Sequence, residues 1–148
     1  MRRISALVLL SAAGLGLGPA SAHATESTLK LSDAWMRVIV PSRPAAGYFK
    51  LMNNGDKTID LTAAASPDCG KLMLHKSVHE NGVEKMMMVK SVPVPAHGSI
   101  SFEPGGYHLM CMSPSANLKP GASTKVTLSF SDGGGLTADF PVKNATGN

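Results

Sequence analysis

The sequence predicts an all-β fold, a β-sandwich or small barrel of about eight or nine strands. Three observations lead to this prediction. Helical periodicity is hard to find after the first two dozen residues, whereas short runs of alternating apolar and polar residues recur along the chain. Clusters of Gly, Pro, Asn and Asp separate these runs. Regular spacing of short strands and turns is typical of sandwiches and barrels.

The predicted strands follow one another in order, each ending at an explicit breaker. Their approximate ranges are 28–39, 46–53, 57–64, 71–79, 84–90, 98–103, 106–112, 123–130 and 136–142. The breakers include Asn53-Asn54-Gly55-Asp56, the proline-rich segment 93–95 and Pro104-Gly105-Gly106. Residues 144–148 are expected to form a short tail.

The strongest local signal is a hairpin in the stretch KLMLHKSVHENGVEKMMMVK. Asn81-Gly82 at its centre is preferred in a type I′ turn, because both central residues take positive φ. With these two as the loop, the opposed pairs are His75 and Met88, Ser77 and Met86, and His79 and Glu84. Alternation places all six on one outward face. It turns Met87 to the aliphatic face, where we expect core packing.

The stretch GGYHLMCM, residues 105–112, shows the same division. By alternation His108 and Met110 fall on one outward face. The core side receives Tyr107, Leu109 and Cys111. Two predicted strand regions therefore each present a histidine and a methionine, namely His75 with Met86 and His108 with Met110.

Two imidazoles and two thioethers form a neutral, soft or borderline ligand set. Thioether sulfur favours Cu(I), whereas zinc prefers thiolate or imidazole, and calcium and magnesium prefer oxygen. A blue-copper site needs a cysteine with two histidines. Cys111 points away from His108 and Met110, and no histidine follows it, so this class is disfavoured. The sequence shows no nucleophile–base set and predicts no enzyme.

The first 24 residues are expected to be a secretory signal peptide. A basic start precedes an apolar run, and two A-x-A sites offer cleavage after Ala22 or after Ala24. The run is too short and too rich in glycine for a membrane span, so no span is expected after cleavage. We place the cut after Ala24, which leaves residues 25–148 as a single domain.

The charge of the exported chain gives no sign of nucleic-acid binding or of polybasic membrane docking. Loss of Arg2 and Arg3 with the leader lowers the formal charge from +4 to +2. The remaining lysines and arginines are scattered, without a run or interleaved aromatic residues.

The spacing of the four ligand candidates resembles a known signature. His75, Met86, His108 and Met110 follow the pattern H-x10-M-x21-H-x-M, which resembles that of the PCu(A)C-type periplasmic copper chaperones. The stretches PSRPAAGYFKLMNNG, LHKSVHENGVEKM and VPVPAHGSISFEPGGYHLM are family-like in layout. The resemblance covers residues 31–142. It implies a cupredoxin-like β-fold, a periplasmic location and one Cu(I) bound by these four residues.

The resemblance also implies partners and raises one further question. It implies delivery of copper toward the Cu(A) centre of a haem–copper oxidase subunit, alongside thioredoxin-like Sco proteins. Positions often occupied by methionine in relatives are here His79 and Glu84, which leaves open a second, harder site for Cu(II). Met73 and Met88 share the face of His75 and are candidates to shield the ion, or, for Met88, to replace a ligand.

Cys69 and Cys111 also lie outside the family pattern. In an exported protein the two can form a disulfide, and this bond would link the loop before one ligand strand to the other ligand strand. Free buried thiols and participation in copper binding remain alternatives at this point.

Two other functions stay open. One is a periplasmic copper scavenging or resistance protein that buffers the ion without delivering it. The other is a metal-free β-sandwich interaction module, which leaves the outward His/Met face unexplained.

Overall fold

The computed structural model describes residues 28–148, which form ten β-strands. The strands are β1 (Leu29–Arg37), β2 (Ala45–Asn53), β3 (Ile59–Ala65), β4 (Cys69–Glu80), β5 (Val83–Met88), β6 (Val92–Val94), β7 (Ser99–Phe102), β8 (Tyr107–Pro114), β9 (Ser123–Phe130) and β10 (Gly135–Lys143). Nine of them match the predicted strands. The predicted signal peptide, with its cleavage sites after Ala22 or Ala24, lies outside the described residues. Within the described part of the chain, no helix is long and apolar enough to cross a membrane.

The additional strand is β6, so the predicted number of eight or nine strands is too low. Its Val-Pro-Val sequence falls in the segment predicted to be a breaker. β6 lies at the edge of the sheet and pairs with β3, so it can accommodate Pro93, which has no backbone N–H. Val92 and Val94 on either side of the proline are buried in the core.

The strands form one open sheet that folds over on itself. Their order is β5-β4-β8-β7-β2-β1-β10-β9-β3-β6, with β8 also paired to β2. The two halves meet where β3 contacts β4, and apolar side chains from both halves join one core. Phe49, Leu51 and Leu109 come from one half, and Leu61 and Val126 from the other. The predicted all-β sandwich is confirmed.

A glycine lets β2 and β8 pack closely at the core. A Cβ atom on Gly47 would lie 2.7 Å from Sδ of Met36 and 3.1 Å from Cβ of Leu109. Both neighbours are fully buried, so neither can move away without disturbing the core. Glycine at this position therefore fits the pairing of β2 with β8, one of the strands that present the candidate ligands.

The β4–β5 hairpin is formed as the sequence predicts. Asn81 and Gly82 have φ angles of 53° and 75°, as a type I′ turn requires. The observed register pairs His75 with Met88, Ser77 with Met86 and His79 with Glu84. β5 is the edge strand at this end of the sheet, and all six of its residues are exposed.

Candidate metal centre

The candidate ligands lie on one face of three neighbouring strands, β5, β4 and β8. His75 is directly opposite His108 on β8 and directly opposite Met88 on β5. Directly opposed residues project from the same face of a sheet, so these three form a row across the strands. Met110 lies two residues along β8 from His108 and therefore projects from the same face.

The two imidazoles are close enough to share one ion. The ring centroids of His75 and His108 are 5.7 Å apart, with an interplanar angle of 66°. Two imidazoles that bind one ion through nitrogens about 2 Å away must have centroids within roughly 6 Å of each other. Each ring also has one buried nitrogen without a hydrogen-bond partner, Nδ1 of His75 and Nε2 of His108. Because an unpaired buried polar atom is costly, these two nitrogens point to a ligand.

A backbone carbonyl determines which nitrogen of His108 is available. Nδ1 of His108 lies 3.2 Å from the carbonyl oxygen of Gly106. A carbonyl can only accept, so Nδ1 donates its hydrogen, and in the neutral ring Nε2 keeps its lone pair. A hydrogen bond of this kind commonly orients metal-binding histidines.

The environment of His75 favours the neutral form of that ring. Burial, and secondarily the neighbouring His108, lower the pKa of His75 below its ordinary value. A neutral imidazole has the free lone pair that a metal ion requires.

The thioethers border a cleft on the same face. This His/Met cleft has a volume of about 230 Å³, and Met86, Met110 and His108 all line it. Met86 is 62% exposed, whereas Met110 is half-buried. The structure thus brings three of the four predicted ligands around one cleft, and His75 adjoins it through its ring contact with His108. A larger groove of about 530 Å³ elsewhere on the surface contains none of the predicted ligands.

The secondary candidates flank these four residues. Met73 is half-buried and lies opposite Met110, while Met88 is 66% exposed. His79 and Glu84 face each other near the hairpin turn, where both are exposed. Among residues 28–148, no group of three His, Cys, Asp or Glu side chains could hold a metal ion.

Two predictions about exposure are wrong. His108 was expected on an outward face but is 4% exposed, because residues of β1 and β2 also line the cleft above it. Met87 was expected in the core but is 55% exposed, because β5 is an edge strand whose residues all remain at the surface.

Among the residues that line the His/Met cleft, sequence reasoning did not point to Arg37 or Tyr48. Arg37 is opposite Ala46, and Ala46 is opposite Met110, so Arg37 lies on the same face as a candidate ligand. Tyr48 looked like an ordinary core aromatic. Only the register between distant strands reveals that both border the site.

Cys69 and Cys111 form a disulfide, with their Cα atoms 5.4 Å apart. These are the two cysteines of the sequence, and neither is free. Cys111 is fully buried on the core side of β8, away from the face that carries His108 and Met110. The alternatives of free thiols and copper ligation are therefore excluded. The disulfide links β4 to β8, the two strands that carry the candidate histidines, on the core side of β8.

Comparison with known proteins places this fold in a wider group. The family model described as "Putative lipoprotein LpqE-like" matches residues 29–142. "Putative lipoprotein Lxx21020" of Leifsonia xyli subsp. xyli is 34% identical over 147 residues, which cover 96% of this chain and 88% of that protein.

Two solved structures show a similar fold. The solution structure of CuI-DR1885 from Deinococcus radiodurans is 31% identical, with a TM-score of 0.62, and the match covers 84% of this chain and 86% of that one. The copper-bound PCuAC domain from PmoF2 is 21% identical, with a TM-score of 0.65, and the match covers 79% of this chain and 93% of that one. The predicted cupredoxin-like class is confirmed.

Proposed function

We propose that this chain, which belongs to the LpqE-like family and is of the PCu(A)C type, is a periplasmic metallochaperone. It binds one Cu(I) ion and transfers it to an acceptor. Its ligands are His75, Met86, His108 and Met110. The observation that carries the proposal is a pair of buried ring nitrogens, Nδ1 of His75 and Nε2 of His108, which lack hydrogen-bond partners beside a cleft lined by two methionines.

The donor chemistry favours Cu(I) over other biological ions. All four ligands are neutral, and two of them are soft thioethers, a combination that suits Cu(I) better than zinc, calcium or magnesium.

One related structure supports the choice of metal. The relative from Deinococcus radiodurans, 31% identical to this chain, was solved as its CuI form. The PmoF2 domain was solved with copper bound, although at 21% identity it supports the fold alone.

Copper is the cargo of this protein, and ligand exchange is the reaction we propose. No bond of an organic substrate is made or broken, so the protein is not an enzyme. The exposed thioether of Met86 gives an incoming ligand access to the ion, while the buried imidazole of His108 holds it from within. One exposed and one buried side of the ligand set suit a site that must both retain and release its ion.

The proposed destination is the Cu(A) centre of a haem–copper oxidase subunit, reached directly or with a Sco-like thioredoxin-fold protein. Export is supported by the predicted leader, residues 1–24, and by relatives that are named lipoproteins. A scavenger that only buffers copper would use the same ligands, so the test must separate delivery from storage.

Titration with Cu(I), followed by X-ray absorption, tests the binding step. We expect one equivalent of copper with two sulfur and two nitrogen neighbours. A protein that takes up no Cu(I) would contradict the proposal and favour a metal-free interaction module.

A deletion strain tests the delivery step. Loss of oxidase assembly at low copper would support delivery. Sensitivity to excess copper with intact oxidase assembly would favour scavenging instead.

A further inference from the structure

We propose that Arg37 and Glu84, two oppositely charged residues that line the His/Met cleft, select an anionic thiolate as the incoming ligand and guide it to the ion from the Arg37 side. This inference rests on the proposed copper transfer and names the chemical class of the acceptor. It concerns residues that are not among the four proposed Cu(I) ligands.

The sheet register directs Arg37 toward the candidate ligands. Arg37 on β1, Ala46 on β2 and Met110 on β8 lie opposite one another in a single row. Neighbouring strands are about 4.8 Å apart, so Arg37 and Met110 are separated by about 10 Å of sheet, a span that a long arginine side chain largely covers. Ala46 has only a methyl group and leaves the space between them open.

Arg37 is held in place but its charge is not neutralised by a carboxylate. Its guanidinium carbon lies 5.3 Å from the centre of the Tyr48 ring, and Tyr48 is buried. Nε of Arg37 is buried and lacks a hydrogen-bond partner. The four ion pairs found within residues 28–148 all involve other cations. A fixed positive charge beside the cleft is thus free to act on a ligand that enters it.

A thiolate is the anion that this arrangement suits. Cu(I) prefers soft sulfur ligands, and a thiol ionises more readily beside an arginine. In the exchange, the thiol releases its proton to water, the thiolate sulfur forms a bond to Cu(I), and one methionine thioether leaves. The copper keeps its oxidation state. Because the entering thiolate carries a charge of −1, the net charge of the ion and its ligands falls from +1 to zero.

Glu84 makes the two sides of the cleft electrostatically different. It lines the cleft from β5, with no ion pair to Arg37, and its carboxylate repels an anion. An entering thiolate is therefore attracted from the β1 side and repelled from the hairpin side. Removal of either charge should change the transfer rate, and the two changes should have opposite signs.

The experiment measures Cu(I) transfer from the loaded full-length protein by stopped-flow absorbance at fixed pH. The acceptors are dithiothreitol, which attacks as a thiolate, and neocuproine, a neutral chelator. We expect Arg37→Gln to slow transfer to dithiothreitol by about fivefold and Glu84→Gln to accelerate it by a similar factor. Transfer to neocuproine should stay within about twofold for both variants, because a neutral acceptor does not respond to these charges.

Two further variants serve as controls for the effect of charge. Arg37→Lys keeps the positive charge and should retain most of the wild-type rate with dithiothreitol. Lys125→Gln removes a positive charge on β9, outside the cleft, and should leave both rates unchanged. If Arg37→Gln transferred copper to dithiothreitol at the wild-type rate, or slowed both acceptors equally, the inference would be overturned. Failure of the wild-type protein to load Cu(I) would instead overturn the proposed function.

Discussion

His75 and His108 lie directly opposite each other on β4 and β8, with their ring centroids 5.7 Å apart. The pairing brings together one histidine from the β4–β5 hairpin and one from the strand after β7. Each ring leaves one buried nitrogen without a partner. The relation between these two side chains is therefore set by the β4–β8 register, and any change that shifts this register should disturb copper binding.

Replacement of His108 by alanine should reduce Cu(I) affinity by more than about 100-fold. Loss of a residue that merely supports a metal ligand already costs about 10–100-fold, and loss of the ligand itself should cost more. Competition against a chromophoric Cu(I) chelator measures the effect.

His97 provides the matched control for this variant. It lies in the loop before β7, where its Nε2 is 2.7 Å from Oδ1 of Asp56 and its side chain is exposed. His97→Ala should bind copper like the wild type. Because His108 is buried, its replacement by alanine can also disturb the fold. Met110→Leu preserves side-chain volume and is therefore a second test, and this variant should also bind Cu(I) more weakly. Wild-type affinity in Met110→Leu would remove Met110 from the ligand set.

The tautomer of His108 should be visible before copper is added. The Gly106 carbonyl accepts a hydrogen bond from Nδ1, so in the neutral ring of the apo protein Nε2 is the nitrogen that carries no hydrogen. Nitrogen-15 NMR distinguishes the two ring nitrogens, and the Nε2 resonance should be the one that moves when Cu(I) binds. Movement of the Nδ1 resonance alone would contradict the assignment of Nε2 as the ligand.

Local features of the site could be predicted from sequence because short-range chemistry determines them. Asn81-Gly82 sets the turn, and the turn sets the register of His75 against Met88 and of Ser77 against Met86. Alternation along β8 likewise separates the side of His108 from that of Cys111.

Features that depend on pairing between distant strands could not be predicted. No local pattern states that β8 lies between β4 and β2, so neither the burial of His108 nor the presence of Arg37 in the cleft was foreseen. The exposure of Met87 could not be predicted for the same reason. Alternation predicts which face of the sheet carries its side chain, but not whether another strand covers that face. β6 was missed because a proline breaks a central strand but is tolerated at an edge.

Removal of the disulfide should destabilise the protein without abolishing copper binding. For a sequence separation of 42 residues, the loop-closure estimate is about 4 kcal/mol of unfolding free energy. Urea unfolding of Cys69→Ala/Cys111→Ala measures the loss, and wild-type protein treated with reductant should behave similarly. Cu(I) stoichiometry should remain one, since Cys111 lies on the core side of β8. Loss of copper by a variant that remains folded would argue for a role of the cysteines in the site.

Asp68 should make the stability of the protein depend on pH. Its carboxylate accepts hydrogen bonds from the hydroxyl of Thr124 at 2.6 Å and from the hydroxyl of Ser115 at 2.8 Å. These bonds, that of Thr124 foremost, lower the pKa of Asp68 below its ordinary value. The folded state then binds a proton less readily than the unfolded state. The stabilisation is complete above the ordinary aspartate pKa of about 4 and disappears as the pH falls through the lower pKa of the folded state.

Asp68→Asn should therefore lower the free energy of unfolding at pH 7 by about 1 kcal/mol, with the partial exposure of the carboxylate allowed for. The difference from wild type should shrink as the pH falls below the ordinary aspartate pKa of about 4 and through the lower pKa of the folded state, because the wild-type carboxylate then also becomes neutral. Urea unfolding across this pH range tests this, with Asp139→Asn as the control, because Asp139 makes only an exposed ion pair with Lys125. A difference that stayed constant as the carboxylate of the wild type was titrated would show that the two hydroxyls do not bind the ionised carboxylate. Copper affinity at pH 7 should be the same in both proteins, because Asp68 directly precedes β4, lies beside Cys111 on the core side of β8 and does not line the His/Met cleft.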